Sequence, residues 1–186
     1  MDAFVFVRTE TGRTRETADR AAGLAGSGIR QSVVLTGEWD VLVAVEADDP
    51  VALGSILMDQ VLTDEAIAES QTAVAVAYPI PLPMPVRGVE EVTSLVLAKL
   101  DPSLGREHAG GWNAWLEGTF EALRDTPGVV GGALITGEYD LLLEVGGDTW
   151  DTVSQGIVAV AALPGIAATS TAVAVTPKLV RPEGSG

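Results

Sequence analysis

The stretch Thr36-Gly37-Glu38-Trp39-Asp40 returns 100 residues later as Thr136-Gly137-Glu138-Tyr139-Asp140. Both stretches lie between apolar runs, and each is followed by a second shared stretch. That second pair is Thr72-Ala73-Val74-Ala75-Val76 and Thr171-Ala172-Val173-Ala174-Val175. Two motifs repeated in the same order indicate two copies of one folding unit.

The composition excludes several classes of function. The chain has 186 residues and a formal net charge of −15, from 26 acidic and 11 basic residues, and it has no cysteine. Disulfides, thiol chemistry and cysteine-based zinc sites are therefore excluded. Nucleic-acid binding depends on Lys and Arg that neutralise phosphates, so we expect no direct binding to nucleic acid. No apolar run approaches the roughly 20 residues that span a bilayer, and no secretion signal is visible, so we expect a cytoplasmic protein without membrane contact.

The hydrophobic periodicity of the first copy predicts the order strand, helix, strand, strand, helix, strand. The predicted elements span residues 3–9, 12–25, 29–35, 39–45, 50–62 and 67–77. Gly37, in the short gap between the middle strands, predicts a hairpin. Asp49 before Pro50 predicts the start of the second helix. The second copy repeats the order at 93–100, 112–124, 129–135, 139–145, 148–162 and 166–176, with a longer first loop over 101–111.

This order is that of the ferredoxin-like, or split βαβ, unit, so the predicted fold class is α+β with two βαββαβ units. We expect the first unit to span residues 1–77 and the second 93–178, followed by a tail over 179–186. The connecting segment 78–92 has Pro at every second position from Pro79 to Pro85. Alternate prolines remove backbone donors and fix φ, which favours a stiff, extended linker over a proline-recognition motif.

The central strands of both copies are apolar on both faces. In the first copy Val41 and Val43 alternate with Leu42 and Ala44. Side chains of successive strand residues point to opposite faces, and a unit's own helices cover only one of them. We therefore predict that the two units pack sheet to sheet as a pseudo-dimeric α/β barrel with the helices outside.

A ferredoxin-like unit with this hairpin motif resembles the ligand-binding domain of the Lrp/AsnC family, also called the RAM domain. The resemblance includes Ala3-Phe4-Val5-Phe6-Val7-Arg8, the hairpin, and Pro164-Gly165-Ile166 before the last strand, and it covers essentially the whole chain twice. The first copy has Asp64-Glu65-Ala66-Ile67 in place of that Pro-Gly-Ile sequence. In the family the domain dimerises through its sheets and binds amino acids or similar effectors near these hairpins. A DNA-binding helix-turn-helix usually precedes it, and none precedes the first strand in this sequence.

The resemblance implies a noncatalytic regulatory protein without a cofactor. It would bind a small amino-acid-like effector and signal by homo-oligomerisation or through an Lrp/AsnC-family partner. The hairpins allow two interpretations, since Asp40 and Asp140 either accept turn N–H bonds or bind the ammonium of an effector. The predicted ligand-binding residues are Gly37, Glu38, Trp39, Asp40 and Thr72 in the first copy and Gly137, Glu138, Tyr139, Asp140 and Thr171 in the second. The two threonines either contribute hydroxyl contacts or serve only as strand formers.

Two other functions stay open. Dimeric α/β barrels of similar topology include small monooxygenases and haem proteins, which hold their ligand inside the barrel. The second alternative is a ligand-free oligomerisation scaffold. His108 is the only histidine, and its glycine-flanked loop is typical of a solvated side chain, so we predict neither catalysis nor metal binding there. The sequence favours the noncatalytic interpretation over an enzyme.

Overall fold

The computed structural model describes residues 1–76, 82–85 and 92–175. Both halves follow the predicted order of elements, except that the second half has one additional helix. The first half contains β1 (Asp2–Thr9), α1 (Thr14–Gly23), β2 (Ile29–Thr36), β3 (Val41–Glu46), α2 (Pro50–Ile56) and β4 (Ile67–Val74). The second half contains β5 (Val92–Leu100), α3 (Pro102–Glu107), α4 (Gly111–Arg124), β6 (Val129–Leu134), β7 (Leu141–Gly147), α5 (Trp150–Ala161) and β8 (Ile166–Val175). None of the helices in the described part of the chain has the length and apolarity needed to span a bilayer.

The prediction of a loop over 101–111 was wrong, because α3 lies within it. Asp101 begins this helix: its Oδ1 accepts hydrogen bonds from Ser103 N at 2.9 Å and from Ser103 Oγ at 2.6 Å. The same Asp-Pro signal begins α2, where Asp49 Oδ1 accepts hydrogen bonds from two backbone N–H groups, each at 2.8 Å. The helix α2 then continues into a π-helical turn, Leu57–Val61. A helix as short as α3 shows no apolar periodicity, so only its cap could have predicted it.

The strands form one antiparallel sheet in the order β4-β1-β3-β2-β8-β5-β7-β6. The halves join where β2 pairs with β8, through Val34↔Val175, Leu35↔Ala174 and Thr36↔Val173. The two outer strands of the sheet also meet, since Ala75 forms a bridge with Ile135 and Thr136 N donates to Val74 O at 3.0 Å. These two seams close the eight strands around a common interior, so the α+β class and the barrel arrangement of the strands agree with the prediction.

The apolar residues form an interior cluster between the halves and one cluster under the helices of each half. In β1, Phe4 and Phe6 face the interior, whereas Val5 and Val7 face the helices. The buried residues of the interior cluster come from both halves: Phe4, Phe6, Val33, Leu35, Trp39, Leu42, Ala44, Ala73, Leu95, Leu97, Ala133, Ile135 and Leu142. The strands are therefore apolar on both faces because both faces are buried.

Part of the predicted linker lies beside β6. The backbone oxygen of Pro83 accepts a hydrogen bond from Gly132 N at 2.9 Å, and Met84 packs against the interior cluster. Proline can supply this acceptor at a strand edge although it has no N–H of its own. The remainder of the predicted linker, except Val92 at the start of β5, and the predicted tail lie outside the described residues.

Candidate functional site

The aspartates of the two hairpins bind the ends of the neighbouring first strands. Asp40 Oδ2 accepts hydrogen bonds from Thr9 N at 2.7 Å and from Thr9 Oγ1 at 3.2 Å. Asp140 Oδ2 accepts a hydrogen bond from Leu100 N at 2.8 Å. The expectation that these carboxylates accept N–H bonds of the turn was wrong, because the antiparallel neighbour strand places a backbone donor closer to them. One oxygen of each carboxylate is thus engaged in holding the fold.

The aromatic residue of each hairpin lies under a cation from the first strand of the same half. The guanidinium carbon of Arg8 is 5.0 Å from the centre of the Trp39 ring, and Lys99 Nζ is 5.2 Å from the centre of the Tyr139 ring. Trp39 is buried and Tyr139 is partly buried. These cations were missing from the predicted site, although they hold matching positions in the two first strands.

The glutamates of the hairpins pair with the same two cations. Lys99 Nζ lies 3.2 Å from Glu138 Oε1, and an Arg8 nitrogen lies 3.9 Å from Glu38 Oε1. Arg8 also forms an ion pair with Glu69. All of these side chains are exposed, so solvent screens the pairs and their contribution to stability is small.

The hairpin glycines contact the other half of the molecule. Gly37 and Gly137 have φ values of 134° and 120°, which favour glycine. A methyl group on Gly37 would come 3.3 Å from the backbone oxygen of Thr171, and one on Gly137 would come 3.2 Å from Gln71 Nε2. The structure therefore brings Gly37 and Thr171 together across a seam, but through the backbone of Thr171.

The two threonines do not place their hydroxyls in the barrel interior. Thr72 shares a strand face with Val74, which packs toward the helices of the first half. Thr171 alternates with Ala172, which packs against the interior, and Thr171 itself is exposed. The ten predicted residues are thus divided between two hairpin ends, and their role in ligand binding stays a prediction.

A different surface, formed by α3 and the start of α4, combines aromatic rings with an unpaired cation. The Trp112 ring lies directly on Gly105, where a methyl group would come 2.1 Å from a ring carbon. The rings of Trp112 and Trp115 are 4.9 Å apart at an interplanar angle of 49°. Trp112 is 41% exposed and Leu104 is 38% exposed, which leaves an apolar face open to solvent. We call this surface the α3–α4 corner.

Arg106 supplies the unpaired cation of the α3–α4 corner. In the described part of the chain, seven of the eight basic side chains form ion pairs with carboxylates, and Arg106 forms none. Asp101 is engaged as the helix cap: the hydrogen bonds from the Ser103 hydroxyl and backbone N–H lower the pKa of its carboxyl, and the charge of Arg106 contributes less to the same shift. Arg106 is therefore available to an anionic group, and a guanidinium suits a carboxylate.

Comparisons with known proteins support the fold along the whole chain. No protein-family model and no curated protein match the sequence. The siroheme decarboxylase NirDL, solved with an iron-uroporphyrin III analogue, is 10% identical, with a TM-score of 0.63 over 95% of this chain and 71% of that chain. A mutant chlorite dismutase from Candidatus Nitrospira defluvii is 11% identical, with a TM-score of 0.61 over 95% of this chain and 90% of that chain. At these identities the likeness establishes a similar fold.

An Lrp/AsnC-type structure matches only part of the chain. E. coli AsnC is 15% identical over 47% of this chain and 56% of that chain, with a TM-score of 0.39. Whether the two halves arose by duplication stays a prediction.

The prediction of a noncatalytic, effector-binding regulator was wrong on this comparison. The solved structures named above that match over 95% of this chain are a siroheme decarboxylase and a chlorite dismutase. The hairpin motif led to a wrong prediction of function because its aspartates form hydrogen bonds between strands. Such hydrogen bonds can occur in proteins of the same fold that have different functions.

Proposed function

We propose that this protein is an α/β-barrel enzyme whose substrate is a tetrapyrrole carboxylate. The observation that carries the proposal is the likeness of fold to a siroheme decarboxylase along 95% of the chain. In this proposal the two halves, over residues 1–77 and 93–178, act as ferredoxin-like units of one pseudo-dimer. We also predict that the chain forms homo-oligomers.

The described residues do not suit an iron tetrapyrrole held as a resident group inside the barrel. The interior is filled with buried apolar side chains. His108 lies on the outside, and its Nδ1 accepts a hydrogen bond from Gly110 N at 3.2 Å. In a neutral imidazole this leaves the proton on Nε2, whereas an iron ligand must be unprotonated. The tetrapyrrole is therefore proposed as the substrate.

The α3–α4 corner has the chemistry to recognise such a substrate. A planar macrocycle gains contact area on the exposed face of Trp112 and Leu104, and aromatic rings favour stacking. Peripheral carboxylates of the macrocycle pair with the guanidinium of Arg106, which forms no ion pair with a described carboxylate. Because the chain carries a net charge of −15, an unpaired cation is the feature that makes one surface favourable for an anion.

Titration with iron-uroporphyrin III tests the proposal. We expect a shift of the Soret band of the pigment on binding to the wild-type chain, and mass spectrometry of the pigment should show loss of carbon dioxide on incubation. Arg106→Gln should weaken binding by about tenfold or more, since a hydrogen bond to a charged group contributes about 1.5–3 kcal/mol. Trp112→Ala should also weaken binding, because it removes the ring on which the macrocycle stacks.

Two control substitutions distinguish pigment binding at the α3–α4 corner from the general effect of removing a surface cation or a surface tryptophan. Arg124→Gln removes a cation that is already paired with Asp125, and Trp150→Ala removes a tryptophan that is 53% exposed on α5. Both should bind the pigment as the wild type does. Absence of any spectral shift in the wild type would refute the proposal. Binding without loss of carbon dioxide would support a tetrapyrrole site and refute the enzyme.

A further inference from the structure

A small cavity lies in the first half, between α1 and the π-helical turn that follows α2. Its volume is about 10 Å³. Val7 and Val43 contribute an apolar part of its wall, and Thr17, Gln60 and Asp64 contribute polar side chains. A cavity of this size has room for about one water molecule, and a water there needs about two to four polar partners. The cavity is therefore large enough, and polar enough, for a single water-sized ligand.

Thr17 presents an unpaired hydroxyl to this cavity. The residue is 3% exposed, and its Oγ1 has no hydrogen-bond partner among the described residues. A helical threonine can donate to the backbone oxygen four residues earlier, which here belongs to Arg13. That oxygen accepts a hydrogen bond from Thr17 N at 3.0 Å but none from the hydroxyl. Because a buried hydroxyl without a partner is unfavourable, a ligand that hydrogen-bonds with Thr17 Oγ1 stabilises the site.

The second half contains the corresponding threonine with its hydrogen bond made. Thr119 and Leu123 of α4 are buried with the same spacing as Thr17 and Ala21 of α1. Thr119 Oγ1 donates to Trp115 O at 2.9 Å. Leu123 is fully buried, whereas Ala21, at the corresponding position, lines the cavity. The smaller residue thus leaves space in the first half beside a threonine whose hydroxyl is unpaired.

An ion pair in the wall of the cavity makes the site electrically balanced. Arg20, which also lines the cavity, places Nη1 3.3 Å from Asp64 Oδ1, and its Nη2 donates to Thr63 Oγ1 at 2.8 Å. Asp64 Oδ1 also accepts a hydrogen bond from Ala66 N at 3.0 Å, so Oδ2 is the oxygen that a ligand can use. Since the two charges offset each other, a neutral ligand that both donates and accepts hydrogen bonds suits the site better than an ion.

We propose that this cavity binds one ordered water molecule, which donates a hydrogen bond to Asp64 Oδ2 and accepts one from Thr17 Oγ1. The water connects α1 with the segment that follows the π-helical turn, and it occupies space beside Ala21, the residue that corresponds to Leu123. Water-mediated hydrogen bonds of this kind are nearly as favourable in enthalpy as direct ones. The inference is independent of the proposed tetrapyrrole substrate, because the α3–α4 corner lies in the second half.

Oxygen-17 magnetic relaxation dispersion on the full chain tests the water site, because it counts long-lived buried water molecules and does not respond to exchanging hydroxyl protons. The wild type should hold one such water more than Thr17→Val, which removes the hydroxyl and keeps the shape of the side chain. Thr17→Ser, which keeps the hydroxyl, should give the wild-type count. Thr119→Val is the matched control, since the hydroxyl that it removes is already bonded to Trp115 O, and it should also give the wild-type count.

Ala21→Leu provides a second test that leaves Thr17 in place. The larger side chain fills the cavity, so this variant should also lose one long-lived water. Equal counts in the wild type and Thr17→Val would overturn the proposal, and so would an equal loss in Thr17→Val and Thr119→Val, because the count would then respond to removal of any buried threonine hydroxyl. Circular dichroism shows whether each variant is folded. If Thr17→Val does not fold, the count in Ala21→Leu decides, and an unchanged count there overturns the proposal.

Discussion

Asp40 and Asp140 each connect the hairpin of their half to the end of its first strand. Removing either carboxylate leaves a partly buried backbone N–H without its acceptor, at Thr9 or at Leu100. An unsatisfied buried donor costs about 1–3 kcal/mol. We expect Asp40→Ala and Asp140→Ala each to lower the free energy of unfolding by about that amount, measured by urea denaturation.

Asp59→Ala is the matched control for these aspartates. Asp59 is exposed in the π-helical turn after α2, and its substitution should change the free energy of unfolding by less than about 0.5 kcal/mol. An equally small effect of Asp40→Ala and Asp140→Ala would show that the strand contacts contribute nothing to stability.

At the residue scale, the sequence identified important positions more reliably than their contacts. The repeat singled out Asp40 and Asp140, but the donor to Asp40 is Thr9, which is 31 residues away in the chain. That contact depends on the register of β1 against β3, which a single sequence does not determine. The same reason applies to Arg8 and Lys99, which reach the hairpin aromatics from another strand.

The packing of α3 on α4 depends on the absence of a side chain at Gly105. A methyl group there would come 2.1 Å from a Trp112 ring carbon, so the ring or the helix must move. Overpacking of this kind costs about 1–3 kcal/mol. We expect Gly105→Ala to lower the free energy of unfolding by that amount and to change the fluorescence of Trp112.

Gly118→Ala is the control for Gly105→Ala. Gly118 lies in α4, is exposed, and has no atom within 4 Å of the position of an added methyl group. Alanine favours the helix over glycine by about 1 kcal/mol, so this substitution should stabilise the protein. Equal effects of the two substitutions would disprove the close contact between α3 and the Trp112 ring.

The start of α3 should depend on pH through Asp101. Hydrogen bonds from Ser103 lower the pKa of the Asp101 carboxyl below its ordinary value of 3.8. A lowered pKa in the folded state means that the cap stabilises the fold above pH 3.8 and that this contribution is lost as the pH falls through the lowered pKa. The fluorescence of Trp112 and Trp115 during acid titration measures this loss.

Asp101→Asn separates this transition from general acid unfolding. Asparagine also caps helices but does not titrate in this range. The variant should therefore lack the change in tryptophan fluorescence that occurs in the wild type on acidification. If both proteins show the same acid titration, Asp101 is not the group responsible.

At the element scale, periodicity and capping residues predicted the order of strands and helices in both halves. The elements that the sequence missed are α3 and the π-helical turn Leu57–Val61. Both are short, and the π-helical turn arises inside a helix whose apolar pattern continues through it. Local geometry of this kind is determined by packing, for which the hydrophobic pattern carries no signal.

At the scale of the whole molecule, the sequence predicted that the halves share an interior, because strand residues such as Leu42 and Leu142 are apolar on the face opposite the helices. It could not predict how the seams are closed. The pairing of Val34 with Val175 and of Ala75 with Ile135 joins segments about 60 to 140 residues apart. The sequence also could not predict the function, because barrels of this kind support many different reactions.

The shared interior predicts that both halves unfold together. Leu142→Ala creates a cavity in a cluster that also contains Phe4, Leu42 and Trp39 from the other half, and such a substitution costs about 2–5 kcal/mol. In the variant, we expect amides of β3 in the first half to exchange faster by the same factor as amides of β7 in the second half. Val158→Ala, at a side chain that is 68% exposed, should leave exchange in both halves unchanged. Faster exchange confined to β5–β8 would mean that each half is stable alone, and the barrel would then be an association of two domains instead of one cooperative core.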